Sequence, residues 1–383
     1  MNRNPIFPTS NVDFVRRLIR KIARRPRRFG KLNQQEIACY EREKYSPSYV
    51  RKRIVENLSP SLGIESVRGG PDSWKTLART QLWDLVGESD VSPLRDVSTL
   101  WNAEDEKGTY QKIVCRGEWD IPIPMYVCQP YRRRASRAWV VCLQGHNSGM
   151  HNSIGVDKEK ECFRYDVAKG AEFVKWCFEN GFSALCIEQR CFGERSELTQ
   201  EKRSPHQCHD AALSSLLLGR TLMGERLSDV QLGIALLERE YREDTLPLKI
   251  GVMGNSLGGS VSIYANALLN EVRFAIAGSC VCSFDKSLVK IYHCADLYIP
   301  RIRQYFEFGD IVGLAAPKPT IIVQGKNDPI FPWEGCKSAI NRATEIFDRF
   351  DAKSNLVVKI DQGSHRFYPD LATEAVRELG HKL

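Results

Sequence analysis

Lys249-Ile250-Gly251-Val252-Met253-Gly254-Asn255-Ser256-Leu257-Gly258-Gly259 contains a Gly-x-Ser-x-Gly pentad, Gly254 to Gly258. A short apolar run, Ile250–Met253, leads into it, and Val261–Leu269 beyond it can start a helix. Strand, sharp turn and helix form the context in which this pentad becomes a nucleophile elbow. The reason is steric. Ser256 takes a strained backbone conformation with its hydroxyl projecting from the sheet edge, and small residues on either side let neighbouring backbone pass close by.

A serine hydroxyl is a weak nucleophile near neutral pH. It needs a histidine to accept its proton and a carboxylate to orient that histidine. In an open α/β sheet of this kind the order along the chain is Ser, Asp/Glu, His. Pro319–Gln324 is a β-branched run that ends in the turn formers Gly325-Lys326-Asn327-Asp328-Pro329, so Asp328 is the candidate acid. Asp310, Asp296 and Asp361 compete. Only Asp361 follows a comparable strand in the right order, and it is too near the histidine. Leu356–Ile360 is another strand-like run, followed by Asp361-Gln362-Gly363-Ser364-His365. Of the seven histidines, His365 alone stands directly after the last strand.

The negative charge that develops in acyl transfer requires two backbone N–H donors. Leu257, next to the nucleophile, supplies one. The other belongs in a loop after an earlier strand. Ala138–Leu143 is such a strand and Gln144-Gly145-His146-Asn147-Ser148-Gly149 follows it. His146 is the expected second donor, with Asn147 as the one-residue alternative.

With these parts in place the chain resembles the α/β-hydrolase superfamily, in its dienelactone-hydrolase-like and acetyl-xylan-esterase-like branch, over roughly residues 70–380. Glu188-Gln189-Arg190-Cys191-Phe192-Gly193-Glu194-Arg195 is similar to the family's Asp-x-Arg-Gly-x-Gly-Glu-Arg loop. Gly219–Gly224 with Asp229 looks like its helix before the nucleophile strand, and Asp328–Pro332 and Gly363–Tyr368 resemble its acid and histidine loops. The chain departs from the pattern in having Gln144-Gly145 for the usual His-Gly, and Glu188-Gln189-Arg190-Cys191 for Asp-x-Arg-Gly. The resemblance implies an α/β-hydrolase fold, a mostly parallel central sheet with helices on both faces, and a serine hydrolase of carboxylic esters. The expected reaction runs through a Ser256–Asp328–His365 triad and an acyl-enzyme, on a small-molecule substrate, without metal or cofactor. The alternatives are the same triad acting on an amide, thioester or carbon–carbon bond, and a non-catalytic protein docked on a membrane or partner.

The 383 residues, 42% of them hydrophobic, suit one large soluble domain with an accessory region. No apolar run approaches the ~20 residues that span a bilayer. The thirteen cysteines are odd in number, and Cys142, Cys186, Cys280 and Cys282 fall in expected strands. That usage suits free thiols in a reducing, intracellular compartment. His206-Gln207-Cys208-His209 has ligand-type residues, but it reads as a solvated loop near the active-site mouth, since no further ligands cluster with it in the sequence.

The net charge of +8 is concentrated at one end. Residues 1–31 hold ten Lys/Arg and one acid, so the remainder carries −1 and gives no charge-based sign of nucleic-acid binding. Residues 13–25 read as a basic amphipathic helix with Phe14, Leu18 and Ile22 on one stripe. The helix suits packing on the body or on another subunit, as in a homo-oligomer. Docking on an anionic membrane surface is the second reading, and targeting or nucleic-acid contact are the remaining ones. The terminal His381-Lys382-Leu383 only partly matches a peroxisomal ending.

The expected organisation is a helical, basic extension over 1–100 and a catalytic domain over 101–383. Arg116–Tyr131 reads as a hairpin with Pro122 and Pro124 marking an edge. Strands are expected near 138–143, 182–187, 248–253, 273–279, 319–324 and 355–360. Helices are expected near 72–86, 160–179, 212–240, 257–269, 286–307, 334–349 and 370–380. This alternation implies a parallel sheet covered on both faces. Residues 191–212 and 283–310 are the candidate cap segments, the second carrying Tyr292, His293, Tyr298, Tyr305, Phe306 and Phe308.

Overall fold

The computed structural model describes residues 42–87, 94–133, 137–146, 149–197, 207–242 and 248–383. The basic helix expected at 13–25 lies outside them, as do Asn147 and His206. The chain forms two units, Met1–Glu56 and Asn57–Leu383. The described part of the first is a 3-10 turn, Arg42–Tyr45, running into helix α1, Pro47–Asn57, which buries none of its residues.

The second unit is built on a nine-stranded sheet. Its strands are β1 (Arg95–Glu104), β2 (Gly108–Arg116), β3 (Pro122–Pro130), β4 (Trp139–Leu143), β5 (Ser183–Ile187), β6 (Ile250–Asn255), β7 (Val272–Gly278), β8 (Thr320–Gly325) and β9 (Leu356–Asp361). They lie in the order β1-β2-β3-β5-β4-β6-β7-β8-β9. From β5 to β9 neighbouring strands are parallel, and β1, β2 and β3 add an antiparallel end.

The principal helices of this unit are α2 (Pro71–Val86), α3 (Phe173–Glu179), α4 (Gln207–Leu217), α5 (Leu222–Glu240), α6 (Leu257–Leu268), α7 (Trp333–Arg349) and α8 (Pro369–Leu379). The period-2 geometry of strands sends successive side chains to opposite faces, and β4 shows the result. Trp139, Val141 and Leu143 join one core with residues of α2, α5, α6 and α7, while Val140 and Cys142 join a second core with residues of α3 and α8. With both faces covered, the strand reads as a continuous apolar run.

Several expectations need correcting. The structural division falls at 56/57, not at residue 100, because Trp74, Ala78 and Leu82 of α2 are fully buried in the main core and β1 is already a strand at Arg95. β3 is an interior strand between β2 and β5, not an edge. Its prolines are tolerated because Pro122 and Pro124 precede the Met125–Cys128 stretch that pairs with β5. The helix expected at 160–179 shrinks to α3. The one at 212–240 becomes α4 and α5, separated by Gly219 at φ +74°. The one at 286–307 is only short turns, interrupted around Pro300 and Arg301, the latter at φ +65°.

Candidate active site

β5 and β6 lie on opposite sides of β4, so the chain changes direction across the sheet at β4 and β6. A crevice opens outside the carboxyl ends of strands at such a switch point. Here it is a cavity of about 700 Å³ whose wall includes Gly145, His146, Ser256, His293 and His365.

Ser256 joins β6 to α6 at φ +56°, ψ −121°. A non-glycine residue in this region costs of order 1–3 kcal/mol and persists only where its surroundings hold it. Its own N–H donates to Gly278 O at 2.8 Å, and its carbonyl accepts from Ser260 N at 2.9 Å. The flanking glycines are required by contact. A Cβ on Gly254 would collide with the Gly258 backbone, and one on Gly258 with the Leu143 carbonyl. Leu257 is the first residue of α6, and the leading N–H groups of a helix have no partner within it.

Asp328 lies just beyond β8 and is 4% exposed. Its Oδ1 accepts from Ile330 N at 2.8 Å and Phe331 N at 3.1 Å, and its Oδ2 is 2.7 Å from His365 Nδ1. The Phe331 ring stacks on His365 with centroids 5.7 Å apart. Asp328 and His365 are therefore paired, and His365 shares the cavity wall with Ser256. Each competing acid is engaged elsewhere. Asp361 Oδ1 closes a turn with Gly363 N, Asp310 holds Arg342 and caps a helical turn, and Asp296 holds Arg226.

The loop after β4 reaches the elbow directly: a Cβ on Gly145 would lie 2.8 Å from Asn255 O and 3.2 Å from Ser256 Cβ. Gln144 Nε2 pins this loop, donating to Ser153 Oγ at 2.6 Å and Ala171 O at 2.9 Å. Next comes His146. Its Nε2 is 3.2 Å from the buried Asp296 carboxylate, and its ring meets Phe192 edge-on at 5.4 Å. Burial would lower the pKa of His146, but Asp296 and Cys294 outweigh that and raise it to about 9.

The 188–195 segment acts as a brace. The buried Glu188 carboxylate accepts from Met150 N and Glu194 N, and burial raises its pKa against those bonds. Arg190 and Arg195 both bind Asp229. Glu194 and Arg195 do not pair with each other. Glu194 joins Lys112 and His151 instead.

The cap segments are only partly in the wall. Of the 283–310 aromatics, Tyr292 and His293 line the cavity, while Phe306 and Phe308 belong to the core. His293 was named with that aromatic set, and it reaches the cavity as a titratable group. Its Nε2 lies 2.7 Å from Ser287 Oγ, and burial lowers its pKa. Cys208, expected in a solvated loop, is 2% exposed in α4 and also faces the cavity.

The strand order, the elbow and the paired Asp328 and His365 beyond β8 and β9 define an α/β-hydrolase fold. No known family profile matches the chain. In sequence it is similar to YtaP of Bacillus subtilis, described as a candidate hydrolase, at 24% identity over 317 residues, covering 79% of this chain and 97% of that one. In structure it is similar to a candidate acetyl xylan esterase of Bacteroides fragilis, with a TM-score of 0.68, 15% identity, and 83% and 82% of the two chains covered. It is also similar to a glucuronoyl esterase of Solibacter usitatus, with a TM-score of 0.58, 12% identity and coverage of 85% and 98%. Among the described residues no helix is long and apolar enough to cross a membrane.

Proposed function

We propose that the protein is a serine hydrolase acting on carboxylic esters of small molecules. The observation that carries the reading is the 2.7 Å Asp328–His365 pair, whose imidazole shares one switch-point crevice with a strained Ser256. In this reading Ser256 Oγ attacks the ester carbonyl and His365 Nε2 takes its proton. Asp328 holds the imidazole with its proton on Nδ1. The N–H groups of Leu257 and His146 receive the oxyanion. His365 then protonates the leaving alcohol, and water releases the acyl group by the same steps in reverse.

A cavity near 700 Å³ suits a small molecule rather than a polymer enclosed along its length. The names of the structural relatives, an acetyl xylan and a glucuronoyl esterase, favour an ester bond over an amide. The described cysteines are free and mostly buried, which suits a reducing compartment.

The test pairs a fluorophosphonate probe with a panel of short-chain esters, amides and thioesters. Wild type should label and should turn over esters fastest. Ser256→Ala should do neither, while keeping the same unfolding midpoint. Ester turnover that survives in a folded Ser256→Ala protein would reject the assignment.

A further inference from the structure

One wall of the cavity carries chemistry that ester hydrolysis does not use. His146 from the loop after β4, Cys208 from α4, and Cys294 and Asp296 from the segment after β7 each point a donor atom at the others. One atom from each residue, all four lying within 4.8 Å of one another, makes a set of imidazole nitrogen, two thiol sulfurs and a carboxylate oxygen. A tetrahedral zinc ion holds such atoms at about 2.0–2.3 Å, so they need only close to roughly 3.3–3.8 Å from one another. Three stretches distant in sequence supply the set, so no local motif announces it.

The Asp296 carboxylate gives an independent sign. It is 2% exposed. Its Oδ2 accepts from Arg226 Nη1 at 2.8 Å and lies 3.2 Å from His146 Nε2, whereas its Oδ1 is buried without a partner among the described residues. A buried carboxylate oxygen left unpaired costs free energy, and a cation at the centre of the cluster would satisfy it. The charges also balance. Two thiolates and one carboxylate carry −3, the buried Arg226 guanidinium, 3.6 Å from Cys208 Sγ, offsets one unit, and a divalent ion offsets two. The second convergent group, His151, Glu161 and Glu194, lacks this room. The Lys112 ammonium already occupies it, 2.7 Å from Glu161 and bonded to Glu194.

We propose that His146, Cys208, Cys294 and Asp296 bind one divalent ion of the zinc type on the wall of the cavity. Thiolate and imidazole donors select zinc, or cobalt as its spectroscopic substitute, over magnesium and calcium. Because His146 also follows Gly145 beside Ser256, an ion there would fix the imidazole and narrow the cavity, and zinc would suppress turnover. That consequence rests on the esterase reading, whereas the site does not.

The test titrates Co²⁺ into the full chain, purified reduced and stripped of metal. A thiolate-to-cobalt charge-transfer band and tetrahedral d–d absorption should saturate at one equivalent and be bleached by Zn²⁺. Cys208→Ser and Cys294→Ser should each roughly halve the charge-transfer intensity at saturation and weaken zinc binding at least a hundredfold, and the double variant should lose the band. Cys162→Ser, an exposed cysteine outside the cluster, should leave both unchanged. Cys294 is only partly buried, so its variant keeps the test open if Cys208→Ser does not fold. No band at one equivalent, or an undiminished band in the folded serine variants, overturns the proposal. Ester turnover is measured on the metal-free protein before each titration. A band on protein that has no metal-free turnover upholds the metal site and rejects the esterase, and metal-free turnover without a band on titration does the reverse.

Discussion

Asp328→Asn isolates the orienting carboxylate. The Ile330 and Phe331 N–H groups both donate to Oδ1, at 2.8 and 3.1 Å. In the variant only an amide oxygen at that place keeps both bonds, so the amide NH₂ takes the place of Oδ2, 2.7 Å from His365 Nδ1. An amide NH₂ can only donate, so the imidazole must accept at Nδ1 and carry its proton on Nε2, where it cannot take one from Ser256. The opposite amide orientation would leave two N–H groups facing a donor, at about 1–3 kcal/mol each, so the inactive tautomer prevails. In serine hydrolysis a wrong tautomer costs about 10⁴ in turnover, equal to about 5.5 kcal/mol of barrier. We expect kcat for p-nitrophenyl acetate to fall by 10³–10⁴, with KM changed less and the fold retained in circular dichroism. Asp361→Asn, at a carboxylate that accepts from Gly363 N, should stay within tenfold of wild type. A folded Asp328→Asn enzyme within tenfold of wild type would refute the reasoning.

Gly258→Ala places a methyl group against the Leu143 carbonyl. It should lower stability by about 1–3 kcal/mol or more and reduce turnover, because Leu143 leads into the Gly145 loop; an unchanged urea midpoint would contradict the packing. Glu194 supplies a pH test. Its bond to His151, joined by Lys112 and opposed by burial, lowers its pKa from 4.5 to about 2. A carboxyl depressed in the fold stabilises it above the unfolded value, and this contribution fades as pH falls from 4.5 through 2. Glu194→Gln should cost on the order of 2 kcal/mol at pH 7, allowing for partial exposure, and progressively less on acidification. Parallel stability curves for the two proteins across pH 4.5 to 2, followed by denaturant unfolding, would exclude that role.

The parallel half of the sheet was readable because β4, β5, β6 and β8 are buried almost throughout and so appear as apolar runs bounded by turn residues. The positions of Ser256 and Asp328 followed, since they stand after β6 and β8, and His365 follows β9, which reads as the apolar run Leu356–Ile360 although only Val357 in it is buried. β1 escaped notice because none of its residues is buried, which leaves no alternation to detect. The helix expected near 160–179 starts only at Phe173, and Gly170 before it stands at φ +88°. Asp296 entered as a rival acid on sequence order alone. Its partner, Arg226, lies 70 residues away on α5, and no spacing rule connects them. The grouping of His146 with Cys208 and Cys294 was hidden for the same reason.

Reactive groups and cavity walls have different origins in this chain. Ser256 and His365 hang from strand ends braced by the whole sheet, whereas Ala168, Cys208, Tyr292 and Leu297 come from excursions between strands. On the proposed mechanism, substitutions in those excursions should reshape selectivity without disturbing the machinery, while changes at the strand tips should remove activity whatever the ligand. A laboratory lineage evolved toward a new substrate should therefore gather its mutations in the excursions and keep its strand tips constant.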